Sequence, residues 1–165
     1  MRLSARRCSM ALGILLAAIA AAPTPAAEVN PEQRVLDVLK EMATTSDAQD
    51  RDILAGRLER LLLLLQPAEV SVSTIDEVSG LLGDDSDYVR WKVSFALSFM
   101  GPKASSTIPA LKQALVRFRD DEAAFEREQG HPRAGVTSGY TICQTLMTLS
   151  KDPLPADCAR YMRFQ

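Results

Sequence analysis

Apolar residues recur along this chain at helical spacing, in blocks separated by short polar breaks, and no segment keeps the two-residue alternation of a strand. Asn30-Pro31 with Gln33 reads as an N-cap, a proline at the first helical position and a capping-box partner. Val35, Leu36, Leu39 and Met42 follow on one face. Ser46 with Gln49 is a second capping box, and the apolar positions from Ile53 to Leu65 continue that helix. Five consecutive leucines, Leu61 to Leu65, predict a helix buried on most sides. Gln66-Pro67 ends it. Thr74 with Glu77 opens a third helix that runs to Leu82. The next spans about Asp87 to Met100. Another starts near Ser106, carries Leu111, Leu115 and Phe118, and extends to about Glu128. Gly130 to Gly135 is a loop by its Gly and Pro content. A helix from about Thr137 to Leu149 follows. Asp152-Pro153 then serves as cap and first position of a short last helix ending near Met162. The pattern predicts an all-α chain of three helix pairs and a terminal helix.

The densest information lies between Leu81 and Leu115. Asp84, Asp85 and Asp87 sit where a helix starts, where carboxylates bond orphan N–H groups and favour the positive dipole end. Val89, Val93, Ala96, Leu97 and Met100 form one apolar stripe. Gly101-Pro102 stops the helix. Pro109 is tolerated in the first turn of the next helix, where its missing N–H costs little.

This window resembles a HEAT repeat, the two-helix unit that stacks into α-solenoids. The family pattern runs from an Asp-rich turn through Val-Arg, two small residues and Ala-Leu to Gly-Pro, and opens the next helix with Ile-Pro-Ala-Leu. Here these are Asp84 to Asp87, Val89-Arg90, Val93-Ser94, Ala96-Leu97, Gly101-Pro102 and Ile108-Pro109-Ala110-Leu111. The resemblance implies a short α-solenoid of about three HEAT-like pairs plus a C-terminal helix, over residues 27–165. Three units is about the least that such an array needs to bury its faces. The third pair departs from the pattern, because it lacks the Asp turn and Val-Arg. The resemblance also implies that Arg90 pairs with acidic residues of neighbouring turns. A contact with a partner is the other reading of Arg90, since arginine is enriched at interface hot spots. Solenoids mostly bind other macromolecules along an extended surface.

The N-terminus adds a compartment. Arg2, Arg6 and Arg7 precede an unbroken apolar run of thirteen residues from Met10 to Ala22, too short for a comfortable membrane span. Thr24-Pro25-Ala26 places small residues at the cleavage-determining positions. Residues 1–26 therefore read as a bacterial secretory signal, cut after Ala26, and the protein is expected in the periplasm or secreted, with no membrane span left after cleavage. The leader holds three arginines and no acid, which leaves 16 basic against 21 acidic residues, a net charge of −5. An acidic chain without a basic cluster is a poor nucleic-acid binder.

Candidate chemistry is sparse. The one histidine, His131, sits in a Gly/Pro loop, whereas metal sites and triads need several convergent groups. Asp85-Ser86-Asp87 starts like a calcium loop, but the required glycine is missing and the twelfth position is Ala96. No Gly-rich phosphate loop, G-x-S-x-G or H-E-x-x-H occurs. No catalytic residue and no cofactor are expected. Two cysteines survive cleavage, Cys143 and Cys158. An even count in an oxidising compartment suggests a disulfide, with two buried thiols as the alternative. The repeat register implied by the resemblance adds to this. It places Cys143 where Ser94 stands, facing the terminal helix that carries Cys158.

Four of the nine aromatic residues fall on one helix. Trp91, Phe95 and Phe99 line up at 100° per residue, with Tyr88 beside them, away from the apolar stripe. Two readings stand. The four form an exposed anchor patch for a protein or peptide, or the third pair, Phe118 to Phe125, folds over them. The functional expectation is a non-catalytic periplasmic protein-binding module, an adaptor or scaffold, with Tyr88, Arg90, Trp91, Phe95 and Phe99 as groove candidates. The alternative is a periplasmic immunity or inhibitor protein that neutralises a toxin or hydrolase.

Overall fold

A computed structural model describes residues 30–131 and 137–162. The leader, its cleavage point and most of the 130–135 loop lie outside the described residues. The described residues form seven α-helices and no strand: α1 Pro31–Thr44, α2 Ala48–Leu64, α3 Val72–Gly80, α4 Asp87–Phe99, α5 Ile108–Gln129, α6 Ser138–Leu149 and α7 Cys158–Tyr161. Short 3-10 turns cover Pro67–Glu69, Leu81–Gly83 and Gly101–Thr107. None of these helices is long and apolar enough to cross a membrane.

The chain is all-α, and its helix order follows the sequence pattern, but several caps shift. Asn30 caps α1 as expected, accepting from the Glu32 N–H at 3.0 Å. Gln33 closes no capping box; its amide donates to Asp37 instead. Asp47, not Ser46, caps α2, accepting from the Asp50 N–H at 2.9 Å. Ser71 caps α3 by accepting from the Thr74 N–H, so the helix starts before Thr74. The Thr74 hydroxyl is engaged elsewhere and donates to Glu32 at 2.6 Å. Ser86 caps α4, and the Asp84 carboxylate accepts from the Ser86 N–H at 2.9 Å. Gly130, at φ 75°, ends α5 in the left-handed conformation that glycine adopts without strain. The last helix does not start at Asp152-Pro153. Pro155 disfavours the helical region for Leu154, the second residue of such a helix, and α7 is a single turn from Cys158 to Tyr161.

α4 packs between α2 and α6, and these three form one row of neighbours. α1, α3 and α5 form the row behind, with α1 packed on α2, α3 on α4 and α5 on α6. One apolar core runs between the rows, from Val35, Val38 and Met42 of α1 to Ile142, Cys143 and Leu146 of α6. The buried positions of α4 and α6 share a spacing. Val89, Arg90, Val93, Ser94, Leu97 and Met100 correspond to Ser138, Gly139, Ile142, Cys143, Leu146 and Leu149. Glu32 ties α1 to α3. Hydrogen bonds from Ser71 and Thr74 hold its carboxyl below the usual carboxylate range.

The leucine run is a correction. Only Leu62 of the five is buried, while Leu63 and Leu64 are 39% and 81% exposed. Among the described residues, α2 is the outer member of its row, with α4 on one side and no helix of that row on the other.

At the opposite end, Cys143 and Cys158 form a disulfide, with Cα atoms 5.4 Å apart, that fastens α7 to α6. Both cysteines are buried. Tyr161 of α7 meets the buried ring of Phe118 edge-on, with centroids 5.2 Å apart. Burial of its hydroxyl, with Glu122 near it, pushes Tyr161 up to about 12. Gly139 is what lets α5 approach α6 here, because a methyl group on it would overlap the Phe118 ring.

Urea denaturation reads these contacts. Gly139→Ala overpacks the Phe118 site and lowers stability by about 3 kcal/mol. Gly80→Ala, whose new methyl would meet nothing, leaves it unchanged or slightly higher. Breaking the 15-residue Cys143–Cys158 loop, by reduction or by Cys158→Ala, lowers stability by roughly 3 kcal/mol. Alkylation of both cysteines in the unreduced protein would show that the bond is absent.

Candidate functional site

The N-terminal end of α4 is fixed by a buried guanidinium. Arg90 is 1% exposed. Its Nη1 donates to the Asp84 and Asp85 carbonyls at 2.8 and 3.3 Å. Its Nη2 donates to Asp121 of α5 at 2.8 Å and to Asp87 at 3.3 Å. Arg51 holds the matching fourth position of α2. It donates to the Met42 and Thr45 carbonyls at 2.6 and 3.1 Å and pairs with Asp84. Ser138 at the start of α6 donates to Asp87. The polar chain thus crosses the ends of α2, α4 and α6 in turn. Arginine suits this position because its planar fork serves several acceptors at once and stays charged when buried. In α6 the position matching Arg90 is Gly139, and Phe118 fills the space.

This places Arg90 in the interior, bonded to neighbouring turns, and not on the aromatic face. The cleft beside it, about 460 Å³, is lined by Asp87 and Asp121 of this polar chain and by Arg117, which pairs with Asp85.

The remaining face of α4 carries the aromatics. Tyr88 and Phe99 are 39% and 50% exposed, and Trp91 and Phe95 are half-buried. They pair edge to face along the helix: Tyr88 with Trp91 at 5.4 Å between centroids, and Phe95 with Phe99 at 5.0 Å. The third pair does not close over them through Phe118, which points into the core beneath Gly139 and Tyr161. Phe125 lies against His131.

Two side chains that the sequence did not single out complete the face. The Lys92 ammonium sits 4.1 Å from the Trp91 ring centre and 5.4 Å from that of Tyr88. Glu59 of α2 holds it at 3.0 Å. The Tyr88 hydroxyl lies over Gly56 of α2. The spacing of Tyr88 and Lys92, one helical turn, was a local signal of this contact. Glu59 comes from another helix, and no local pattern points to it.

No family model, curated protein or solved structure matches the chain. The site is therefore read on its own residues. Apolar rings beside one shielded ion pair offer contact area and a place for a cation. The face brings together no nucleophile with a base, and among the described residues no group of three His, Cys, Asp or Glu side chains could hold a metal ion.

The two members of the Arg90–Asp121 pair differ in what their removal costs. Arg90→Ala removes the carbonyl caps and leaves buried acceptors unmet, and lowers stability by about 3 kcal/mol or more. Asp121→Ala, whose side chain is 40% exposed, costs about 1 kcal/mol or less. Equal losses from the two, in chemical denaturation, would contradict the anchoring role of Arg90.

Proposed function

We propose that this chain is a non-catalytic protein-binding module of the bacterial periplasm, built as a short stack of HEAT-like helix pairs and acting as an adaptor or scaffold. The observation that carries the reading is the aromatic face of α4, with Tyr88 and Phe99 39% and 50% exposed on a helix that is otherwise packed. Aromatic side chains are the commonest anchors of protein interfaces, and contiguous exposed apolar patches on soluble chains mark interaction surfaces. The secretory leader supports the compartment, and so does a buried disulfide, which persists where thiols are oxidised. The common spacing of buried positions on α4 and α6, together with the Arg51 and Arg90 contacts, supports the repeat reading.

A second reading is a periplasmic immunity or inhibitor protein. The net charge of −5 that remains once residues 1–26 are removed, and the disulfide brace, favour it. Both readings use the same face. They separate by partner: resident envelope proteins for an adaptor, one co-encoded toxin or hydrolase for an immunity protein.

The test is affinity capture from periplasm with the wild type and with Tyr88→Ser/Phe99→Ser. The double variant should melt within a few degrees of the wild type, because both side chains are exposed. It should lose the retained partner by about thirtyfold in affinity, as removal of a hot spot does. Equal retention by both proteins would remove the aromatic face as the binding surface.

A further inference from the structure

We propose that the corner formed by Tyr88, Trp91 and Glu59 is a cation-recognition site that Lys92 fills in the free protein, and that the partner inserts a lysine or arginine side chain there in its place. This rests on the protein-binding reading above and names the chemistry that the partner must carry.

The corner is already built for an alkylammonium. The Tyr88 and Trp91 rings stand at 81° to each other, so they form two walls. Each ring face is negative, and a cation within about 6 Å of the centre is attracted to it. The Lys92 ammonium meets that condition on both rings, at 5.4 and 4.1 Å. Glu59 supplies the opposing charge at 3.0 Å. The Lys92 and Glu59 side chains are 15% and 11% exposed, so the pair is shielded and solvent weakens it less than a surface pair.

The occupant is tethered but replaceable. Lysine reaches the corner on a flexible four-carbon stem, so it swings into solvent without any change in the α4 backbone. Its hydrogen-bonding partner is Glu59. An incoming cation therefore finds the same carboxylate and the same ring faces. Arg60 approaches Gly56 beside the Tyr88 hydroxyl. Tyr88 is exposed at the outer edge of the corner, which gives the route in. With residues 1–26 removed, 16 basic stand against 21 acidic residues, and that net charge of −5 draws a basic segment towards the chain. Phe95 and Phe99 continue the face beyond the corner and offer apolar contact to the residues that flank that basic side chain.

Trp91 is the only tryptophan in the chain, so its fluorescence reports the corner directly. The experiment titrates tetralysine peptide into the folded protein, with tetraglutamate and sodium chloride at matched ionic strength as controls. The wild type should show a weak, saturable change in Trp91 emission with tetralysine alone. Lys92→Ala and Lys92→Met should each bind tetralysine about tenfold more tightly, because the internal competitor is gone. Two variants are used so that loss of fold in one leaves the other to decide. Adding Glu59→Gln to either should reverse the gain. The inference is overturned if neither Lys92 variant binds more tightly than the wild type, or if salt alone reproduces the emission change. Those results would leave the capture comparison with Tyr88→Ser/Phe99→Ser as a separate reading of the face. Loss of partner there, with no gain from Lys92 removal here, would mean an apolar partner surface without a basic anchor.

Discussion

The buried guanidinium of Arg90 fixes α4 at its N-terminal end, and what the molecule presents on α4 depends on it. The side chain bonds two carbonyls of the preceding turn and reaches Asp121 on α5, so three segments meet at one charge. A buried charge without partners would be expensive; here the two terminal nitrogens are met by backbone and carboxylate together, while Nε is buried without a hydrogen-bond partner. Arg51 repeats the arrangement at the start of α2, and its Asp84 contact joins the two. With α2 and α6 on its flanks and α3 and α5 behind, α4 has one face left.

That face is where local preference and packing part company. Aromatic residues tend to be covered, and a stripe at helical spacing is more often core than surface. The α4 stripe of Val89, Val93, Leu97 and Met100 is the core, and the aromatics stand apart from it. Their edge-to-face pairing and the Lys92–Glu59 pair remove part of the exposed area without closing it. A partner would thus meet preformed rings whose side chains have little freedom left to lose, which is the condition under which contact area converts to affinity.

Much of the fold was legible in the sequence. Helical spacing, Asn30-Pro31 and Gly101-Pro102 placed the long helices to within a few residues, and an even cysteine count behind an expected secretory leader pointed to the Cys143–Cys158 bond. The caps were less legible, because Ser46, Asp47, Ser71 and Thr74 all have the right chemistry and tertiary contacts choose among them. Thr74 is claimed by Glu32 from α1, a pairing 42 positions apart. The leucine run was misread because its pattern says nothing about whether α2 has a neighbour on each side. Gly139 was silent for a similar reason: its need arises from Phe118 on another helix. At the candidate site the rings were visible in the sequence, but Glu59, which sets the charge of the corner, was not.

The most direct test of the aromatic face is hydroxyl-radical footprinting of the free and partner-bound protein, read residue by residue by mass spectrometry. Aromatic side chains and leucines both react, so one measurement covers the α4 face and the open flank of α2. The account predicts that Tyr88, Trp91, Phe95 and Phe99 are protected in the complex, while Leu63 and Leu64 react as before. Protection of Leu63 and Leu64, with the four aromatics still reactive, would place the partner on α2 and contradict it.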